Sequence, residues 1–241
     1  MSEEATLLGA GEVGRVFLRA PRCVRVIRRG DVVDVAPAGT VLVAVREEDL
    51  GALVEPLRPV ASRCAFVQNG LVDDVLAPLG EVTRGLVWFT AKGETFHELA
   101  PSVFHGPRAA DCARWLGEAG VAARVEADGA RFRHEVARKL AWNNVAGLPP
   151  YVHKVTLGAY LTEHRVEARA VIDETLRVCA ARWETPVDTD DVLALVLATT
   201  APIAGLRGGN KALVYRNGAV QRLGRELGVA TPVNDALLAG G

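Results

Sequence analysis

Short, nearly uninterrupted apolar runs separated by turn residues fill the first half of the chain, and a helical repeat replaces them in the second. Thr6-Leu7-Leu8, Cys23-Val24-Arg25-Val26-Ile27 and Thr40-Val41-Leu42-Val43-Ala44-Val45 read as strands. The third is rich in β-branched residues and apolar on both faces, as a buried parallel strand requires. Residues 64–67, 82–90 and 121–126 predict further strands, and residues 109–118 predict a helix stopped by Gly120. Only Gly30 to Gly39 separates the second strand from the third, too little for a helix and another strand, so Asp31-Val32-Val33-Asp34-Val35 is one short strand or an extended link. From Ala130 onward strand-like runs vanish. The pattern places a boundary near Gly129, with an α/β domain over residues 1–129 and an all-α domain over residues 130–241. Helices are expected over residues 133–144, 160–183, 188–200 and 210–227. The second of these carries an apolar stripe through Leu161, Val166, Ala170, Ile172, Leu176 and Cys179. A last helix starts with Thr231 as N-cap and Pro232 at the first helical position.

Composition narrows the function classes. With 241 residues, 49% of them hydrophobic, the chain can bury real cores, and a net charge of -1 gives no electrostatic drive toward nucleic acid or an anionic membrane. Cys23, Cys64, Cys112 and Cys179 are widely spaced, with no CxxC pair and no histidine at ligand spacing. They argue against both a metal site and a disulfide framework. Met1-Ser2-Glu3-Glu4 is acidic where a secretory signal is basic, and the apolar stretch over residues 192–206 is too short to span a bilayer, so a cytoplasmic protein is expected.

Candidate chemistry begins at Gly9-Ala10-Gly11-Glu12-Val13-Gly14, a GxGxxG pattern between a strand and the helix expected from Arg15 to Ala20. In that context Gly9, Gly11 and Gly14 suit a tight turn, backbone approach to a pyrophosphate and close helix packing; the alternative is a plain glycine loop. The second strand ends in Arg28 and Arg29 where NAD recognition uses an acid. Cations there, with no carboxylate at the strand tip, point to the 2'-phosphate of NADP. Arg46 and Gln68-Asn69-Gly70 fall at the carboxyl ends of the next two strands, the edge where ligands bind in open parallel sheets, although Asn-Gly is also a strong turn signal. His97 and His105 are assigned to loops. On the helix over residues 133–144, Lys139 and Asn143 project from one side, one turn apart. An ammonium and an amide so placed can protonate and orient one carbonyl substrate if a hydride donor is near; otherwise they are a solvated pair.

Taken in order, GAGEVG, Gln68-Asn69-Gly70, Arg138-Lys139-Leu140-Ala141-Trp142-Asn143, Asn217-Gly218 and Gly228-Val229-Ala230-Thr231-Pro232-Val233-Asn234 resemble the ketopantoate reductase family (2-dehydropantoate 2-reductase). The resemblance implies a Rossmann-type N-terminal domain with a parallel sheet, a helical C-terminal substrate or dimerisation domain, NADPH in the cleft between them and a 2-oxo acid substrate, and it allows a homodimer. It further implies that Gly9, Gly11 and Gly14 hold the pyrophosphate, Arg28 the 2'-phosphate, and Arg46 the place of a cofactor-contacting lysine. Asn69 would lie near the nicotinamide ribose, Lys139 would be the general acid, Asn143 would orient substrate, and Thr200 would replace a substrate-contacting serine. The chain departs from the family pattern at Gly147, where a second asparagine is usual, and at Ala212, where a glutamate is usual. These substrate-side changes imply an altered substrate. They leave two other readings open: a non-catalytic NADP(H) sensor or scaffold, and an enzyme like the β-hydroxyacid dehydrogenases, which share the Lys-x-x-x-Asn pair.

Overall fold

A computed structural model describes residues 4–241; Met1, Ser2 and Glu3, which carry most of the acidic start, lie outside the described residues. The chain forms two compact units. One contains the residues up to Gln68 together with Val72–Phe132, and the other contains Asn69–Leu71 and Arg133–Gly241. The helix Gly129–Ala146 carries the chain from the first to the second.

The first unit is an α/β layer structure. Its strands are β1 (Ala5–Leu8), β2 (Val24–Ile27), β3 (Val41–Val43), β4 (Cys64–Phe66), β5 (Thr83–Leu86), β6 (Phe89–Lys92), β7 (Thr95–Glu98), β8 (Ser102–His105) and β9 (Ala123–Val125). Seven of them form one sheet in the order β2-β1-β3-β4-β5-β8-β9, while β6 and β7 pair as a separate hairpin. From β2 through β5 every pairing is parallel. The sheet is parallel as expected, apart from the β5–β8 pair, which is antiparallel. β1, β3, β4 and β5 are buried along their whole length; β3 and β4 are wholly apolar and β1 is apolar but for Thr6, whereas β5 buries Thr83 and Arg84 beside Leu86. Residues 31–35 form no strand, which leaves β2 as the sheet edge on the side where a full dinucleotide fold has one strand more. Helices α1 (Glu12–Phe17), α2 (Val54–Leu57), α3 (Asp73–Leu76) and α4 (Ala109–Glu118) complete the unit. Its core joins Leu7, Phe17, Leu42, Phe104, Trp115 and Leu116. Phe17 and Trp115 meet edge to face at 5.6 Å, and the Trp115 indole donates to the Phe17 carbonyl at 3.0 Å.

Three expectations change here. Residues 82–90 are not one strand: β5 stops at Leu86 and β6 begins at Phe89 in a different sheet. β8 has no counterpart in the sequence reading. His97 and His105 lie in β7 and β8 rather than in loops, and His105 stacks on Phe132 at 4.9 Å while its Nδ1 bonds the Glu126 carbonyl at 2.8 Å.

The second unit is helical: α5 (Gly129–Ala146), α6 (Leu148–Val152), α7 (Leu157–Glu163), α8 (Arg165–Trp183), α9 (Thr189–Thr200), α10 (Asn217–Leu227) and α11 (Pro232–Gly240). The long helix expected from Tyr160 is divided at His164 into α7 and α8. The break shifts the helical phase, so Val166 is 87% exposed instead of lying on the buried stripe. α9 starts at an Asp188 cap whose carboxylate accepts the Asp190 and Asp191 amides. The helix expected over residues 210–227 is shortened: Ala212 is left-handed (φ 53°), Leu213–Tyr215 form a 3-10 turn, and the non-helical Arg216 (φ -120°, ψ -113°) delays α10 until Asn217. Thr231 makes no capping bond. The Glu174 carboxylate instead accepts the Val233 and Asn234 amides at the start of α11. No helix among the described residues is long and apolar enough to cross a membrane.

Candidate functional site

In the first unit, chemistry-bearing residues gather at the carboxyl ends of β1, β2 and β3. β1 ends at Leu8, the chain turns through Gly9 (φ 92°), and Gly11 caps α1. A Cβ at Gly9 would lie 2.6 Å from the Ala44 carbonyl oxygen, and one at Gly14 would lie 2.0 Å from the Gly9 oxygen. Both positions therefore exclude side chains for the protein's own packing. Gly11 is different: among the described residues, nothing beyond its own chain neighbours and local helix backbone lies within 4 Å of its missing Cβ, so its bareness leaves room for a ligand instead.

That turn forms one wall of a cavity of about 580 Å³. Leu8, Ile27, Val45 and Leu53 give it apolar surface, and Arg15, Arg28, Arg29 and Arg46 bring four guanidinium groups to it. Arg29 pairs with Asp49, whereas the side chains of Arg28 and Arg46 make no hydrogen bond or ion pair among the described residues. The expectation of a strand tip free of carboxylate is corrected here: Asp31 and Asp49 both line the cavity, and Asp31 accepts the Arg28 amide at 2.7 Å. Bare backbone, apolar surface and uncommitted guanidinium groups together suit a phosphorylated nucleotide.

Gln68 is structural, its amide donating to the Val43 and Val45 carbonyls at 2.9 and 3.1 Å and tying together the ends of β3 and β4. Asn69 belongs to the second unit and does not line the cavity. The neighbouring Gly70 (φ 84°) has room for no side chain, since its Cβ would lie 2.3 Å from the Tyr215 oxygen.

In the second unit, α5 turns Lys139 and Asn143 inward, 4% and 5% exposed. The Lys139 ammonium stands 4.5 Å from the centroid of the Trp142 ring, and the Trp142 indole donates to Thr199 Oγ1 at 2.9 Å. Burial, and next the positive charge of Arg216, bring the Lys139 ammonium down to about 7. Asn143 Nδ2 and Thr200 Oγ1 are buried without a hydrogen-bond partner. Buried polar atoms are ordinarily satisfied, so an open amide one helical turn from a depressed lysine, with an open hydroxyl next in sequence to the residue that Trp142 bonds, marks a place for a ligand.

A buried polar frame holds this end of α5. Asn217 donates to the Asn144 carbonyl (3.3 Å) and to Asn234 Oδ1 (3.0 Å), Asn234 Nδ2 donates to Glu174 (2.8 Å), and Asn144 Nδ2 donates to Thr175 Oγ1 (3.1 Å). The Asn-Gly and Thr-Pro-Val-Asn motifs thus supply scaffold. Glu174 and Arg216 escaped the sequence reading, although a glutamate falling between Ile172 and Leu176 on an otherwise apolar helix face was a signal for the first. Gly147 is walled in: its Cβ would lie 3.0 Å from the Asn143 oxygen, and the Gly209 amide donates to the Gly147 carbonyl at 3.1 Å. A side chain at this position would need the neighbouring backbone to give by a few tenths of an ångström.

Among the described residues no cluster of His, Cys, Asp or Glu is placed to hold a metal ion. All four cysteines are free thiols, and only Cys23 is exposed.

No protein-family model and no curated protein matches the sequence. Solved structures do match the fold along nearly its whole length. A D-mandelate dehydrogenase in complex with NADH aligns at 16% identity and TM-score 0.78, covering 98% of this chain and 97% of that one. A ketopantoate reductase from Ralstonia eutropha JMP134 aligns at 20% identity and TM-score 0.76, covering 98% and 96%. A 2-dehydropantoate 2-reductase from Geobacter metallireducens GS-15 aligns at 17% identity and TM-score 0.77, covering 98% of each chain. The chain has the fold of these reductases.

Proposed function

We propose that this chain is an NADPH-dependent reductase of a 2-oxo acid, with Lys139 as its general acid. One observation carries the reading: a lysine buried on α5 and brought to about 7, one helical turn from an asparagine whose amide hydrogens have no protein partner. The likeness in fold to D-mandelate dehydrogenase and to ketopantoate reductases supports it. In this proposal Gly9, Gly11 and Gly14 shape the turn that receives the pyrophosphate, Arg28 pairs with the 2'-phosphate, and Arg46 and Asn69 contact the rest of the cofactor.

When bound, at the turn of Gly9, Gly11 and Gly14 and at Arg28, NADPH would supply the hydride for the carbonyl carbon. Lys139 donates a proton to the carbonyl oxygen as negative charge develops there, so the product is a 2-hydroxy acid and the lysine is left neutral until solvent reprotonates it. An acid whose midpoint lies near neutrality both gives and regains its proton readily at pH 7. Asn143 Nδ2 and the Thr200 hydroxyl orient the substrate, and the burial of all three groups keeps water from competing for the same oxygen.

The test is NADPH oxidation by the purified protein against a panel of 2-oxo acids, branched, aromatic and hydroxylated. Turnover of at least one member, abolished in Lys139→Ala, is the expected result. NADPH binding with no turnover of any member would overturn the assignment and favour the sensor reading.

A further inference from the structure

We infer that Arg216 binds the carboxylate of the substrate and makes the site around Lys139 selective for 2-oxo acids over neutral ketones. This inference rests on the proposed reductase activity and names the substrate group that the second unit recognises.

Arg216 stands on fixed backbone. Its amide donates to the Leu213 carbonyl at 3.0 Å, and its own carbonyl accepts the Val220 amide at 3.1 Å in the first turn of α10. The residue before it, Tyr215, accepts the Leu71 amide at 2.8 Å, and the residue after it, Asn217, is 1% exposed and anchored to both Asn144 and Asn234. The bond from Asn217 to the Asn144 carbonyl ties the start of α10 to the part of α5 that carries Asn143. The indole bond from Trp142 to Thr199 ties that part of α5 to the end of α9, where Thr200 lies. Three elements thus converge on one buried region, with Arg216, Lys139, Asn143 and Thr200 as their polar contributions.

The charge of Arg216 is felt by Lys139, so two cations address the same region. Like charges brought together under burial raise each other's cost, and an anion between them relieves it. Asn143 Nδ2, one turn from Lys139 on α5, and Thr200 Oγ1, at the end of α9 that Trp142 ties to α5, are both buried without a partner among the described residues and supply neutral donors. A 2-oxo acid presents a carbonyl oxygen and a carboxylate on adjacent carbons. With the carbonyl oxygen at Lys139, the planar guanidinium of a neighbouring arginine can receive the carboxylate through two parallel hydrogen bonds, which a single ammonium cannot match.

The test compares wild type, Arg216→Gln and Arg216→Lys on a 2-oxo acid and its methyl ester, with NADPH saturating. Arg216→Gln should lower kcat/KM for the acid by about 10–100-fold, chiefly through KM, while changing the ester less than about threefold. Arg216→Lys, which keeps the charge but not the fork, should recover only part of the loss. The pH at which activity falls should move upward in Arg216→Gln, because a cation facing Lys139 has gone; a role confined to folding would not produce that shift. Calorimetric titration of oxamate into protein saturated with NADP+ gives a readout without turnover, and there Arg216→Gln should weaken binding by a similar factor. If Arg216→Gln keeps the wild-type preference for acid over ester, or binds oxamate as tightly as wild type, the inference is overturned. A wild type that turns over no 2-oxo acid yet binds oxamate through Arg216 would refute the proposed activity while upholding the carboxylate site.

Discussion

The buried ammonium of Lys139 offers a test of the proposed acid that begins before any substrate is chosen. Its proton affinity falls from 10.5 to about 7 on folding, which corresponds to roughly 5 kcal/mol disfavouring the charged form, at about 1.4 kcal/mol per pH unit. The unfolded chain therefore holds a proton between pH 7 and 10.5 that the folded chain has released. Stability should rise with pH across that window, and below about 7 the folded protein carries the full cost of a buried charge. Lys139→Met, which removes the charge and keeps the volume, should stabilise the unliganded protein at about pH 6 by roughly 1–4 kcal/mol and much less near pH 10. Denaturant unfolding at the two pH values measures this. Catalysis should run the opposite way: kcat/KM for reduction should fall about tenfold per pH unit above 7, and Lys139→Ala should lower it by roughly 10²–10⁴-fold with little change in NADPH affinity. A Lys139→Met gain equal at both pH values, or a pH–rate profile flat through 7–9, would refute the argument that burial and Arg216 tune this lysine as an acid.

Three further outcomes bear on the remaining groups. NADPH should bind more tightly than NADH because the Arg28 guanidinium is uncommitted, and Arg28→Ala should shrink the preference by about tenfold; Asp31 and Asp49 at the same cavity limit its size, so Asp31→Asn should enlarge it. Both are read by titration of the two cofactors. Glu174→Gln keeps the shape but puts an amide where three N–H groups donate, so unfolding experiments should show a loss of about 2–4 kcal/mol, with turnover falling as the frame behind α5 loosens. Ala212→Glu should raise activity on ketopantoate relative to an unhydroxylated branched 2-oxo acid by about 10-fold or more; no relative gain would mean that residue 212 does not face the substrate.

Most legible in the sequence are the strands buried on both faces, although the less buried β2 and β9 were also expected. β1, β3 and β4 expose no polar face, so they read as nearly unbroken apolar runs, and the glycines of the first turn are required by backbone at 2.0 Å (Gly14 to the Gly9 oxygen) and at 2.6 Å (Gly9 to the Ala44 oxygen, which only the fold brings near). β6, β7 and β8 are four residues each and mix polar with apolar positions, too short for a periodic signal. The split at His164 was invisible because neither glycine nor proline marks it. At the site, Lys139 and Asn143 could be paired because they are one turn apart on a single helix. Arg216 could not: only the fold brings a residue before α10 close enough to act on a lysine of α5. Asp31 was hidden differently, because no strand forms after β2 and the chain turns back so that its carboxylate caps the Arg28 amide.

The excursion at Asn69–Leu71 bears on how this chain can be made and divided. These residues belong to the second unit, where Leu71 donates to the Tyr215 carbonyl and is itself buried, yet they are flanked on both sides by residues of the first. On the ribosome they emerge long before Tyr215 exists, so the helical unit stays unfinished, its contribution from the early chain waiting, until nearly the whole polypeptide has been synthesised. For the same reason no single cut yields two self-sufficient halves. Severing the chain at Phe132 leaves the helical fragment without a segment that closes it and leaves the other fragment with an apolar leucine that has lost its pocket.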